Sequence, residues 1–213
     1  MSNSIRSILF LSFVVSMLAA CKKDDPTPVT LTSTTFSNLP ADPPSGGYNP
    51  TNGQPIGVTK QYTLFSFKTG AVVAHADSAS AKWDIGFNGT TIIVNSGTSG
   101  PGTAGAFVQT GVFNEIMTAP VTGYKNDDKN STSAPLAIPK GSGNGWYNYS
   151  SSTNVITPIA GRVILVKTTE ARYAKMEILS YYKDSPATPS NTSVDRYYTF
   201  RYVYQGSGTT AFQ

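Results

Sequence analysis

The chain has 213 residues, with sixteen Lys and Arg against twelve Asp and Glu, one histidine and one cysteine. That length supports a single domain with a sizeable core. The weak, scattered positive charge, with no basic cluster interleaved with aromatics, excludes nucleic-acid binding, and one cysteine excludes a disulfide framework or a cysteine-based zinc site.

The first twenty residues read as a secretory signal. Arg6 supplies the positive start, and Ile8 to Ala20 is an apolar run ending in small residues. The run is shorter than the ~20 residues a membrane-spanning helix needs. Leu18-Ala19-Ala20-Cys21 is the box that the bacterial lipoprotein pathway recognises, so residues 1–20 are expected to be removed and Cys21 lipidated. Acyl chains anchor firmly because each buried methylene adds about 0.8 kcal/mol. With Cys21 lipidated no free thiol remains. Residues 21–29, with Lys22-Lys23-Asp24-Asp25 and Pro26-Thr27-Pro28, read as a tether. The charged cluster is either a signal for surface display or a set of solvated charges.

The domain is expected over residues 30–213. Seven of the fourteen prolines lie between Pro26 and Pro55, so its start is turn-rich, with Leu31, Phe36 and Leu39 apolar enough to reach a core. Gln61 to Phe67 and Ala71 to His75 predict a hairpin through Thr69-Gly70. Lys82 to Phe87 alternates, placing Trp83, Ile85 and Phe87 on one face and Asp84 toward solvent. Asn88-Gly89 predicts a tight turn into Thr91 to Asn95. After the Gly-rich loop 97–105, Ala106 to Thr110 predicts a strand and Phe113 to Met117 one helical turn.

Residues 119–145 carry turn chemistry. Trp146 to Tyr149 and Asn154 to Thr157 predict β structure, with Tyr147 and Tyr149 on one face by alternation. Val163-Ile164-Leu165-Val166 predicts a strand buried on both faces. Tyr173 to Tyr182, with Met176 in the core and Glu177 toward solvent, and Arg196 to Tyr204 complete the pattern. Many short strands, Gly-rich turns and almost no helix predict one all-β domain, an antiparallel sandwich or barrel-like fold with at most one short helix.

Catalytic motifs are missing. No Gly-x-Ser-x-Gly elbow stands between strand and helix. Gly141-Ser142-Gly143-Asn144-Gly145 precedes no helix that would make it a phosphate cradle, and Asn126-Asp127-Asp128 lacks calcium-loop spacing. The chain is therefore expected not to be an enzyme.

Several blocks together carry a resemblance: Tyr62 to Gly70, Trp83-Asp84-Ile85-Gly86-Phe87, the Gly-rich stretch 97–105, Trp146-Tyr147, Tyr173 to Tyr182 and Tyr198 to Tyr204. Their order and spacing resemble the HmuY-like family of surface lipoproteins over roughly residues 60 to 204. The resemblance implies an all-β haem- or porphyrin-binding protein, lipid-anchored at the outer membrane of a Gram-negative bacterium and exposed at the cell surface. It also implies an outer-membrane receptor as partner and haem as cofactor. The family's two histidine ligands are missing. The first matching position is Asn88, and the second falls within Gly123 to Gly145, which holds no histidine.

Three residues are left as candidates for haem contact. Met117 and Tyr124 lie where the pocket should be, and His75 is the sole histidine; Met, Tyr and His all serve as iron ligands. Each has an ordinary alternative, in core packing for Met117 and Tyr124 and at a strand end for His75. The second functional reading is a module of this fold that has lost haem ligation and binds a glycan, through exposed Trp146 and tyrosine rings, or a protein partner. A third is a structural lipoprotein without a small ligand.

Overall fold

The computed structural model describes residues 31–213, so the expected signal over 1–20, the lipidated Cys21 and the tether over 21–29 lie outside the described residues. The strands, in chain order, are β1 (Thr34–Pro40), β2 (Thr63–Ser66), β3 (Ala71–Val73), β4 (Ile85–Asn88), β5 (Thr91–Val94), β6 (Gly105–Thr110), β7 (Tyr147–Ser150), β8 (Val155–Pro158), β9 (Arg162–Lys167), β10 (Tyr173–Tyr182) and β11 (Asp195–Gln205). The helical pieces among the described residues are the 3₁₀ turns His75–Asp77 and Phe113–Glu115. No helix among the described residues is long and apolar enough to cross a membrane.

Every strand pairing is antiparallel. The larger sheet runs β1-β11-β10-β9-β6, a second runs β3-β2-β4-β5, and β7-β8 is a separate hairpin. The two larger sheets share one core. Phe65 and Phe67 from the β2 segment, Ile85 and Phe87 from β4, and Ile92 and Val94 from β5 meet Ile164, Met176 and Phe200 from the larger sheet. Phe65 is the hub: its ring packs edge-on against Phe36, Phe67, Phe200 and Tyr202 at centroid distances of 5.2 to 5.7 Å. Aromatic pairs at this spacing add to the gain from area burial.

The run Val163 to Val166 is buried on both faces, as its composition predicts. Ile164 and Val166 enter the main core. Val163 and Leu165 enter a second cluster with Phe113, Ile116, Tyr173 and Phe212 on the opposite face of the sheet. Lys175 is buried beside this second cluster. Its Nζ donates to the Phe113 and Ile116 carbonyls, both at 2.7 Å, and lies 4.6 Å from the Phe113 ring centroid. This cation satisfies the carbonyls of the second 3₁₀ turn and holds it on the sheet.

Four expectations are corrected. The turn-rich start contains β1, which pairs with β11 and places Leu39 in the core. Its irregularity between Phe36 and Leu39, with Asn38 at φ 58°, breaks the period-two pattern that marks a strand. The β4–β5 turn sits one residue later than predicted. Asn88 pairs with Thr91, so Gly89 and Thr90 make the turn, and Gly89 takes the positive φ of 51°. The strand expected from Lys82 begins at Ile85, and the one expected to end at His75 stops at Val73.

The fourth correction concerns Asp84 and Glu177, expected to face solvent. Asp84 is 3% exposed. It precedes β4, where period-two alternation does not govern its direction, and it takes up backbone donors instead. Phe67 N donates to its Oδ2 at 2.9 Å, and Thr169 N and Oγ1 donate to its Oδ1 at 3.0 and 3.2 Å. Glu177 lies partly buried beside Arg201, whose Nη2 is 2.6 Å from Glu177 Oε2.

Candidate functional site

Asn88, the last residue of β4, occupies the position that the resemblance assigns to an iron ligand, and its side chain is already committed. Nδ2 donates to the Gln61 carbonyl at 2.8 Å and to Asp42 Oδ2 at 3.2 Å. Asp42 also accepts from Thr59 N and Thr59 Oγ1, both at 2.8 Å, and from Lys60 N at 2.7 Å. Burial raises the Asp42 carboxyl, but these donors outweigh it and hold the group below the ordinary carboxylate value. Asn88 thus closes a polar knot joining β4 to the residues after β1.

The second expected ligand segment is tied down by a buried carboxylate. Asp127 accepts from Val94 N at 3.0 Å and from Ala137 N at 2.8 Å, which clips the segment to the open edge of β5. Burial raises the Asp127 carboxyl, and that of Asp84, above the ordinary value, with the backbone donors acting in the opposite direction. Among the described residues, no group of three or more His, Cys, Asp or Glu side chains is placed to hold a metal ion.

Tyr124, Met117 and His75 stand on three different elements. Tyr124 packs against Phe107 at 5.2 Å and Tyr173 at 5.9 Å between ring centroids. Its hydroxyl is buried and has no hydrogen-bond partner among the described residues, and burial raises its pKa. The cavity beside Tyr124 is about 210 Å³, below the roughly 300 Å³ at which ligand pockets begin. Met117 follows the second 3₁₀ turn and is 41% exposed, and its carbonyl accepts from Phe212 N at 2.8 Å. His75 opens the first 3₁₀ turn and is exposed.

The aromatic pair on β7 divides. Tyr147 is buried in the core with its ring 4.9 Å from that of Trp146, whereas Tyr149 is 46% exposed. Trp146 is itself buried, donating its indole N–H to the Thr90 carbonyl at 3.1 Å, so it offers no stacking face to solvent. Tyr149 alone of the three presents its ring. Its hydroxyl donates to Asn154 Oδ1 at 2.8 Å across the hairpin, and Ser142 Oγ accepts its backbone N–H at 2.8 Å.

Beside that ring lies a cavity of about 620 Å³, between the β7–β8 hairpin and the segment 183–194 that links β10 to β11. A second cavity of about 540 Å³ shares Tyr149, Ser190 and Asn191 with it and extends to Tyr48 and Asp195. The walls are fixed at their bases. Ile156 N donates to the Tyr182 hydroxyl at 2.9 Å, and Asn38 and Asp184 exchange two hydrogen bonds at 2.7 and 2.8 Å. Sequence reasoning missed this wall: Pro186 to Ser193 signals only a loop, and nothing in its composition says what it faces.

Comparison with known proteins places these features in context. The family model described as HmuY protein matches residues 59–202. No curated protein matches the chain. The chain is similar to the crystal structure of a protein from Bacteroides vulgatus described as HmuY-like and heme-binding, with 18% identity over 81% of this chain and 92% of that one, at a TM-score of 0.48. A lipoprotein from Bacteroides fragilis matches with 15% identity over 81% and 91% of the two chains, at a TM-score of 0.46. The apo HmuY analogue of Tannerella forsythia matches with 17% identity over 82% and 95%, at a TM-score of 0.40.

Proposed function

The chain belongs to the HmuY family, a family of non-catalytic binding proteins, and on that premise we propose that it is a lipid-anchored capture module of the outer-membrane surface. It takes up haem or a related porphyrin for iron acquisition and passes it to an outer-membrane receptor. The observation that carries this reading is the family match over residues 59–202, most of the described domain. The Leu-Ala-Ala-Cys box ending at Cys21 supports the anchor. Capture and release need affinity without bond chemistry, which agrees with the lack of a catalytic motif in the sequence.

Haem held by this chain would supply a flat apolar ring and an iron in need of axial groups. Asn88 is bound to Asp42 and Gln61, and amides are poor iron ligands. Any axial contact therefore falls to one of Met117, Tyr124 and His75, with apolar ring contact supplying most of the affinity. The commitment of Asn88 also favours a second reading, a module of this family whose haem ligation is lost and whose cargo is a glycan or a protein partner.

Haem titration followed at the Soret band separates the two readings. The first expects a shifted band with a midpoint at or below about 10 μM, where 1 μM corresponds to about −8.2 kcal/mol. One of Met117→Ala, Tyr124→Phe and His75→Ala should then alter the spectrum. A spectrum of free haem at all protein concentrations rejects haem capture and leaves the second reading.

A further inference from the structure

The larger of the two cavities at Tyr149 has a lining that selects a ligand class. Around the larger cavity the side chains are neutral: Asn148, Asn191, several Ser and Thr, and the Tyr149 ring, with Val155 and Pro189 among the apolar contacts. No Lys, Arg, Asp, Glu or His lines it. A phosphate, a sulfate or the propionates of a porphyrin would find no cation there, and a cationic ligand would find no carboxylate. The side chains of Asn148 and Asn191 make no hydrogen bond among the described residues, as the bonded partners of each segment lie elsewhere. Two free amides offer donors and acceptors in equal measure, the pattern that neutral hydroxyl groups match.

The aromatic ring completes the match. Tyr149 is held by its hydroxyl on Asn154, so its exposed face is oriented before any ligand arrives. A fixed aromatic ring offers large contact area at low entropic cost, and an exposed ring face suits the C–H side of a sugar. The adjoining cavity holds one carboxylate, Asp195, which accepts from the hydroxyl of Tyr48, itself 44% exposed, at 2.6 and 2.7 Å and is thereby engaged within the protein. Two adjoining cavities of about 620 and 540 Å³, each with an exposed tyrosine and sharing Tyr149, Ser190 and Asn191, have room for more than one sugar ring. We propose that the trough between the β7–β8 hairpin and segment 183–194 binds a neutral oligosaccharide, with Tyr149 as the stacking platform and Asn148 and Asn191 as the hydroxyl-reading amides. This deepens the second reading of the function and stands apart from haem capture.

The test uses the full-length lipoprotein in detergent, titrated calorimetrically with neutral gluco-, manno-, galacto- and xylo-oligosaccharides of four to seven units, and with a sulfated oligosaccharide. Binding to at least one neutral oligosaccharide is expected, with Tyr149→Ala weakening it tenfold or more and Asn191→Ala severalfold. Val112→Ala, an exposed residue that lines neither cavity, should leave it unchanged. The trough reading is overturned if no neutral oligosaccharide binds at millimolar concentration, if Tyr149→Ala binds as the wild type does, or if only the sulfated compound binds. Circular dichroism of each variant confirms the fold, and Tyr149→Phe, which keeps the ring, should retain most of the affinity. The haem titration is scored separately, so loss of either activity leaves the other interpretable.

Discussion

Asn88 and Asp42 meet across 46 residues of chain, the amide Nδ2 of one 3.2 Å from the carboxylate Oδ2 of the other. The position that the family resemblance assigns to an iron ligand is here part of a structural knot. That knot has a pH signature. The donors around Asp42 hold its folded pKa below the ordinary carboxylate value. Its stabilising contribution is therefore complete above the unfolded value, about 3.9, and is lost as pH falls through the lower folded value. Asn88→Ala removes one donor and raises the folded value. The acid-unfolding midpoint should move to higher pH, and stability at neutral pH should fall by about 1–2 kcal/mol. Acid titration of the far-ultraviolet dichroism measures both.

Asp84 predicts an opposite sign. Burial raises its folded pKa above the unfolded one, so its ionisation opposes folding and its contribution weakens as pH rises from the ordinary carboxylate value through the folded one. Both oxygens accept N–H or O–H donors. Asp84→Asn turns an amide N–H₂ toward one of those donors and should destabilise by about 1–3 kcal/mol. The deficit should narrow with rising pH across that window. Urea denaturation at a series of pH values resolves it, and an equal deficit at every pH would refute the linkage.

Lys175→Met keeps the stem but leaves the Phe113 and Ile116 carbonyls without their buried donor. The expected cost is about 2 kcal/mol, in the range for charged hydrogen bonds. Hydrogen exchange should show it locally, with faster exchange at the Phe212 amide, which donates to the Met117 carbonyl beside that turn. Uniform loss of protection throughout the domain would contradict a local role.

Phe65→Ala and Tyr149→Ala should separate core from surface. Phe65 is fully buried and touches four other rings, so its truncation should cost about 3–5 kcal/mol. Tyr149 loses a half-exposed ring and one exposed hydrogen bond. Its truncation should stay within about 1 kcal/mol. Thermal melts of the two variants compare them directly.

The contrast between β9 and Asp84 shows where local pattern works. Val163 to Val166 is continuous and apolar, and a strand needing burial on both faces can only lie inside a sheet covered on both sides. Asp84 obeys no local rule, because its donors come from Phe67 and from Thr169, 85 residues away. Likewise β1 was hidden by the bulge around Asn38, and only its pairing with β11 reveals it as a strand.

The candidate site follows the same division. Alternation places Tyr147 and Tyr149 on one face of β7, yet one ring is buried against Trp146 and the other borders a trough. Period two says which side of a strand a residue occupies, and the neighbouring elements decide what covers that side.

By itself, then, the sequence determined the all-β class, the doubly buried β9, the core position of Met176 and the family, because each rests on local composition or on the order of blocks along the chain. Only the tertiary structure decided that Asn88 is bound to Asp42, that Tyr124 packs, partly buried, against a second cluster, and that segment 183–194 faces Tyr149. Those are contacts between residues distant in sequence, and hydrogen-bond satisfaction and packing choose among them once the sheets have formed.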